Sequence, residues 1–189
     1  MIIYLHGFRS GPESWKARSL GARAAHHGLQ DAFWCEQLPV SAQAAMALVE
    51  AQIARCATPP TLVGSSLGGF YATHLAETHH LKAVVVNPAV IAPLSLASYI
   101  GTQRHMYSDE TFEFTEAHIA ELRALEHPTL AHPENFWLLA ETGDEVLDYR
   151  HAVARYQGSR QTVLDGGDHS FTQWDDYLDP ILRYAGLIP

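Results

Sequence analysis

Thr61-Leu62-Val63-Gly64-Ser65-Ser66-Leu67-Gly68-Gly69-Phe70 is the stretch whose reading decides the fold. A short β-prone run enters two small polar residues framed by glycines. Beyond them Phe70, Leu75 and the intervening alanines follow a helical pattern. The chain therefore turns sharply from strand into helix at this point. Only Ser66 has glycine two positions away on both sides, at Gly64 and Gly68. A serine at the strained apex of such a turn needs that spacing, because a side chain at either flanking position would collide with the turn. The helix opening at Leu67 presents backbone N–H groups and a partial positive end, which suits a developing oxyanion. Chance alone produces one G-x-S-x-G match in roughly 6% of chains this long, so the weight rests on the strand before and the helix after. Ser66 is the candidate nucleophile. A tightly packed Gly-rich strand-to-helix turn with no chemistry is the other reading of the same residues.

Working outward, short apolar runs alternate with longer stretches of helical period, the pattern of βαβ units on a mostly parallel sheet. Predicted strands are Ile2 to Leu5, Ala32 to Leu38, Thr61 to Gly64, Lys82 to Val86 and Asn135 to Ala140, with a sixth at Gln161 to Leu164. The run Lys82-Ala83-Val84-Val85-Val86 leaves no polar face, as expected of a strand covered on both sides. Ser41 is placed to cap a helix carrying Met46, Val49 and Ile53. Phe171, Trp174, Leu178, Ile181, Leu182 and Ala185 share one face of a final helix, with a kink expected at Pro180. From Pro88 to Asp109 the chain is apolar but irregular, and helical spacing resumes through Ile119, Leu122 and Leu125. A structureless loop that long is unusual in a compact domain. Residues 88–127 are therefore expected to form a small, mainly helical cap.

Composition sets the bounds. With 189 residues, 47% of them hydrophobic, the chain can bury one sizeable core, and no Gly/Ser/Pro-rich linker divides it. A single domain spanning 1–189 is expected. Its formal charge of −9 is spread out with no basic block, which argues against a nucleic-acid partner. Cys35 and Cys56 form no close-spaced metal or redox motif and fit a reducing compartment. No stretch has the length or composition of a secretory signal or a membrane span, so a cytoplasmic location is expected. The 12 histidines invite a metal, but no H-E-x-x-H is present. Neither a metal nor an organic cofactor is expected.

A base for Ser66 should follow it in the chain, on a loop just beyond the last strand. His169 is so placed, after the predicted strand Gln161 to Leu164 and the turn Asp165-Gly166-Gly167-Asp168. His105, His118, His127, His132 and His151 have no strand just before them. For the acid that orients the base, the strand Asn135 to Ala140 runs into Glu141-Thr142-Gly143-Asp144-Glu145, and Asp144 is preferred. Glu141 lies closer to the strand, Asp148 suits the start of the next helix, and Asp168 adjoins His169 in sequence and would point away from it. After the first strand, His6-Gly7-Phe8-Arg9-Ser10-Gly11 allows close approach of backbone to a substrate oxygen. Phe8 N–H becomes the second oxyanion donor beside Leu67 N–H. Taken alone, His6-Gly7 reads equally well as a strand end with a buried, hydrogen-bonded histidine.

Four segments together resemble a known family. They are Tyr4-Leu5-His6-Gly7-Phe8-Arg9-Ser10, Gly64-Ser65-Ser66-Leu67-Gly68-Gly69, Thr142-Gly143-Asp144-Glu145-Val146-Leu147-Asp148-Tyr149 and Gly166-Gly167-Asp168-His169-Ser170-Phe171. In them the chain resembles the YqiA-like small bacterial esterases of the α/β-hydrolase superfamily. The resemblance implies an α/β-hydrolase fold and a cofactor-free serine esterase with Ser66, Asp144 and His169 as triad. It implies an acyl-enzyme and short acyl esters, or thioesters, as small-molecule substrates. Asp168 departs from the pattern, where Asn is the more usual residue, as does His6, where some relatives carry another polar residue. A carboxylate beside the base would raise its pKa. Ile91, Leu94 and Tyr99 are candidate acyl-pocket residues or plain core, and Arg9 or Arg104 could meet an anionic substrate. The rival functions are a thioesterase, including one acting on acyl-CoA, and an inert hydrolase-like binding protein.

Overall fold

The computed structural model describes residues 1–189. In chain order its elements are β1 (Ile2–Leu5), α1 (Trp15–His26), β2 (Phe33–Trp34), α2 (Ala42–Arg55), β3 (Thr61–Ser65), α3 (Leu67–His79), β4 (Lys82–Val86) and the single turn α4 (Ala92–Ser95). There follow β5 (Gly101–Arg104), β6 (Thr111–Phe114), α5 (Glu116–Ala124), β7 (Phe136–Glu141), α6 (Tyr149–Arg155), β8 (Arg160–Leu164) and α7 (Leu178–Tyr184). Six strands form one parallel sheet in the order β2-β1-β3-β4-β7-β8. This is the parallel sheet that the alternating pattern predicts, and it matches the α/β-hydrolase fold that the resemblance implies.

Side chains alternate across the sheet and divide the core in two. Ile3, Leu5, Leu62, Ala83, Val85, Phe136 and Leu138 pack on the side of α2, α3, α5 and α6. Ile2, Tyr4, Val63, Val84, Val86, Trp137 and Leu139 pack on the side of α1, α7 and the segment carrying Phe171 and Trp174. Covered on both faces, the central strands need no polar side, which is why the valine run of β4 is tolerated. Each such Val, Leu or Ile contributes roughly 1.5–3 kcal/mol relative to exposure. Ser41 caps α2 as predicted, its Oγ accepting Ala44 N–H at 3.1 Å. No helix is long and apolar enough to cross a membrane.

Three expectations change. The strand expected over Ala32 to Leu38 pairs only at Phe33 and Trp34. Gln30–Ala32 forms a 3-10 turn, and beyond Trp34 the chain leaves the sheet, where Leu38 N–H donates to His6 Nε2 at 2.9 Å. The final segment is not one helix kinked at Pro180. A 3-10 turn over Trp174–Tyr177 passes into α7, whose first turn holds Pro180, so its missing N–H costs no internal bond. Between β4 and β7, residues 88–127 hold more than helix: β5 and β6 pair as an antiparallel hairpin, with Gly101 opposite Phe114 and Arg104 opposite Thr111. Two strands alone are marginal in water. This hairpin is held by Phe8, whose ring lies 4.9 Å from Phe114, 5.8 Å from Phe112 and 5.6 Å from Tyr99.

Candidate active site

At the carboxyl end of β3 the backbone of Ser66 takes φ 56°, ψ −118°, a conformation costing about 1–3 kcal/mol for a residue with a Cβ. The neighbourhood makes this turn and no wider one possible. A Cβ on Gly64 would stand 2.1 Å from Gly68 O, and one on Gly68 would stand 1.9 Å from Leu5 O of the adjacent strand. Both glycines let α3 start directly against β1 and β3. The strained apex is tied on both sides of Ser66, whose N–H donates to Val86 O at 3.0 Å and whose carbonyl accepts from Ala89 N–H at 3.0 Å.

The structure brings Ser66, His169 and Asp144 into one chain of contacts. His169 Nε2 lies 3.1 Å from Ser66 Oγ, and His169 Nδ1 lies 2.8 Å from Asp144 Oδ2. Asp144 Oδ1 accepts the N–H groups of Val146 at 2.9 Å and Leu147 at 2.8 Å, which fixes the carboxylate in place. Its side chain is 2% exposed and that of His169 is 23% exposed. With Asp144 as acceptor, Nδ1 carries the imidazole proton and Nε2 is left to accept from the Ser66 hydroxyl. The loop after β7 and the loop after β8 are seated together: Gly143 N–H donates to Gly166 O at 2.7 Å, and a Cβ on Gly143 would meet Gly167 O at 2.4 Å.

Gly7 lies against Ser66, the Cβ position of Gly7 being 3.3 Å from Ser66 Cβ. Neither Phe8 N–H nor Leu67 N–H has a hydrogen-bond acceptor within the chain, so both remain available to an oxygen at the site. His6 takes the bland role considered for it. It is 5% exposed, with Nε2 accepting Leu38 N–H and Nδ1 donating to Gly7 O at 2.9 Å. Burial lowers its pKa, which keeps it neutral.

A cleft of about 630 Å³ opens over Ser66 and His169, walled by Phe8, Leu67, Ala89, Leu96, Tyr99, Met106, Val146 and Leu147, with Arg9 and Glu145 as its charged residues. Of the three cap residues singled out, Tyr99 lines this cleft. Ile91 lines a smaller neighbouring cavity, and Leu94 is 72% exposed. Arg9 donates from Nε to Arg104 O at 2.8 Å, and Arg104 itself pairs with Asp109.

The remaining acidic candidates have other partners. Glu141 is fully buried and accepts from Asp168 N–H, Thr172 N–H, Thr172 Oγ and Gln173 N–H. Asp148 caps α6 and pairs with Arg150. Asp168 turns to Ser170, whose hydroxyl and, after it, N–H lower its pKa. Glu145 accepts His169 N–H at 3.0 Å. Sequence reasoning missed Asn87, which contacts the His169 loop, and Lys16, whose Nζ donates to Ser170 O at 2.6 Å. Desolvation lowers the Lys16 pKa to about 8, against the raising influence of Asp168, Glu141 and Asp144. A polar Asn ending the apolar β4 run was the one available signal. No three His, Cys, Asp or Glu side chains gather in a way that could hold a metal ion.

Residues 1–186 match the sequence model of the family described as "Uncharacterised protein family (UPF0227)". Among solved structures, a protein from Agrobacterium vitis S4 superposes with TM-score 0.72 at 22% identity, covering 97% of this chain and 87% of that one. A monoacylglycerol lipase from Paleococcus ferrophilus gives TM-score 0.69 at 14% identity, covering 97% and 93%. Est1E from Butyrivibrio proteoclasticus, with ferulic acid bound, gives 0.67 at 12% identity, covering 97% and 86%. At these identities the likeness is one of fold.

Proposed function

The chain belongs to the UPF0227 family, in keeping with the resemblance carried by its four motifs, and on that premise we propose that it hydrolyses carboxylic esters through a Ser66–His169–Asp144 triad. The observation that carries this reading is the unbroken path Asp144 Oδ2, His169 Nδ1, His169 Nε2, Ser66 Oγ, at 2.8 and 3.1 Å, at the apex of a strained strand-to-helix turn. Support also comes from neighbours of the same fold that include a lipase and a protein with an aromatic acid bound.

In this reaction His169 Nε2 takes the Ser66 proton as Oγ attacks the acyl carbonyl. The carbonyl oxygen becomes an oxyanion between Phe8 N–H and Leu67 N–H. Collapse expels the alcohol, which takes the proton from His169 and leaves an acyl-enzyme. Water, deprotonated by the same imidazole, then releases the acid and returns the proton to Ser66. Asp144 holds the Nδ1–H tautomer throughout and stabilises the transient imidazolium.

Short acyl groups fit a cleft whose walls are mostly apolar but which is open at the Met106 and Val146 side, where those residues are 64% and 55% exposed. Residues 88–127 act as a cap contributing Leu96, Tyr99 and Met106 to the cleft, within a single domain 1–189. The test is hydrolysis of nitrophenyl esters of increasing acyl length, with matched thioesters in parallel. Ester turnover by wild type, lost by several orders of magnitude in Ser66→Ala and His169→Ala with folding unchanged, is the expected result. A wild type inert to every ester, or an active Ser66→Ala, would remove the proposal. Faster turnover of thioesters would reassign the leaving group.

A further inference from the structure

The loop carrying His169 has no regular secondary structure. Gly166, Gly167 and Phe171 all take positive φ, at 75°, 70° and 62°. Within it Asp168 O accepts Phe171 N–H at 3.1 Å and Gly166 O accepts Gly143 N–H at 2.7 Å, and side chains supply further hydrogen bonds to the loop. Asn87 supplies two of them. Directly after β4 and 3% exposed, it donates from Nδ2 to Asp168 O at 3.0 Å and to His169 O at 3.2 Å, while its Oδ1 accepts Glu141 N–H at 3.0 Å. Two carbonyls on one side and an N–H on the other allow the amide only one orientation.

These carbonyls belong to the two peptide planes that flank the His169 Cα. Fixing both planes fixes φ and ψ of His169, and with them the direction in which its imidazole leaves the backbone. Glu145 Oε2 holds the N–H end of the first plane at 3.0 Å. The same short segment also carries the nucleophile, because Val86 O accepts Ser66 N–H and Ala89 N–H donates to Ser66 O. Residues 86–89 thus register both ends of the Ser66–His169 contact. They reach Ser66 through main chain and His169 through the Asn87 side chain. At φ 39° Asn87 occupies a left-handed conformation for which Asn is better suited than most residues.

We propose that Asn87 is the positioning residue for His169, setting the distance and direction of the imidazole relative to Ser66 without touching the substrate. This rests on the reading of Ser66, His169 and Asp144 as catalytic. Asn87 does not line the cleft, so its loss acts on kcat and leaves KM in place.

Two variants test it. Asn87→Asp keeps the shape but turns oxygen toward both carbonyls, and Asn87→Gly removes the side chain while tolerating the positive φ. Two readouts are taken on each. In the resting protein, the downfield proton resonance of His169 Nδ1–H bonded to Asp144 reports imidazole placement without any turnover. With a nitrophenyl ester, kcat is expected to fall tenfold or more and KM to stay within twofold. The resonance should be lost or broadened in both variants, or in Asn87→Gly alone if Asn87→Asp does not fold. A folded Asn87→Gly with the wild-type resonance and wild-type kcat would overturn the proposal. If the wild type hydrolyses nothing, the esterase reading falls, and the resonance alone still decides whether Asn87 places His169.

Discussion

Gly68→Ala adds one methyl group at the point where α3 meets β1. The new Cβ would sit 1.9 Å from Leu5 O, 2.5 Å from Leu5 C and 2.8 Å from His6 O. All three are backbone atoms of a central strand or its first loop residue, and none can rotate away. To reach the 3.4 Å at which ordinary contact begins, the start of α3 must back off from β1. That motion carries Ser66 with it, away from a His169 that is 3.1 Å distant and pinned by its own loop. Overpacking of this kind costs about 3 kcal/mol or more when backbone has to yield. For a domain of this size that is a fall of about 6–12 °C in Tm. Gly186→Ala is the control: its φ of 69° is left-handed, but nothing stands within 4 Å, so only the conformational cost of about 1 kcal/mol applies. Urea unfolding of the two variants, followed by ester turnover of the folded Gly68→Ala protein, measures both effects. Equal stability losses in the two variants, or a Gly68→Ala protein of wild-type kcat, would refute the argument that glycine is required here by close approach.

Asp144→Asn should lower kcat by about 10⁴-fold, the size of effect produced by a wrong imidazole tautomer. The Val146 and Leu147 N–H groups would keep the amide oxygen, turning Nδ2 toward His169 Nδ1 and forcing the ring proton onto Nε2, as a steady-state assay would reveal. Stability should decline at alkaline pH. Burial raises the thiol of Cys35 and the phenol of Tyr156 to about 12, and Tyr71 also upward, so the unfolded chain loses these protons first. Their contribution is whole below the unfolded values near 9 and 10 and is lost as pH rises toward the folded ones, which urea midpoints measured from pH 7 to 11 would track. Phe114→Ala should release the β5–β6 hairpin from Phe8 at a cost of up to about 3–5 kcal/mol. Hydrogen exchange would then show lost protection over Gly101–Phe114 with the parallel sheet still protected.

Much of the geometry of the candidate site was legible because it is written locally. The turn at Ser66 follows from residues within two positions of it, and Asp144 and His169 each stand shortly after a strand recognisable by its own composition. The hairpin was not legible, because Gly-Thr-Gln-Arg in β5 carries no apolar side chain and what stabilises the pair is Phe8, far away in sequence. Cys35 to Leu38 reads as strand by composition, yet His6 and Gln37 bind that backbone outside the sheet. Asn87 and Glu141 act on a loop 81 and 27 residues away respectively, a distance over which no periodicity reports.

The most direct test of the account is the intact mass of the protein after reaction with a fluorophosphonate, with the modified residue located by fragmentation. One adduct on Ser66 is predicted, absent in Ser66→Ala and strongly slowed in His169→Ala. No adduct on the folded wild type, or an adduct on another residue that persists in Ser66→Ala, would contradict it.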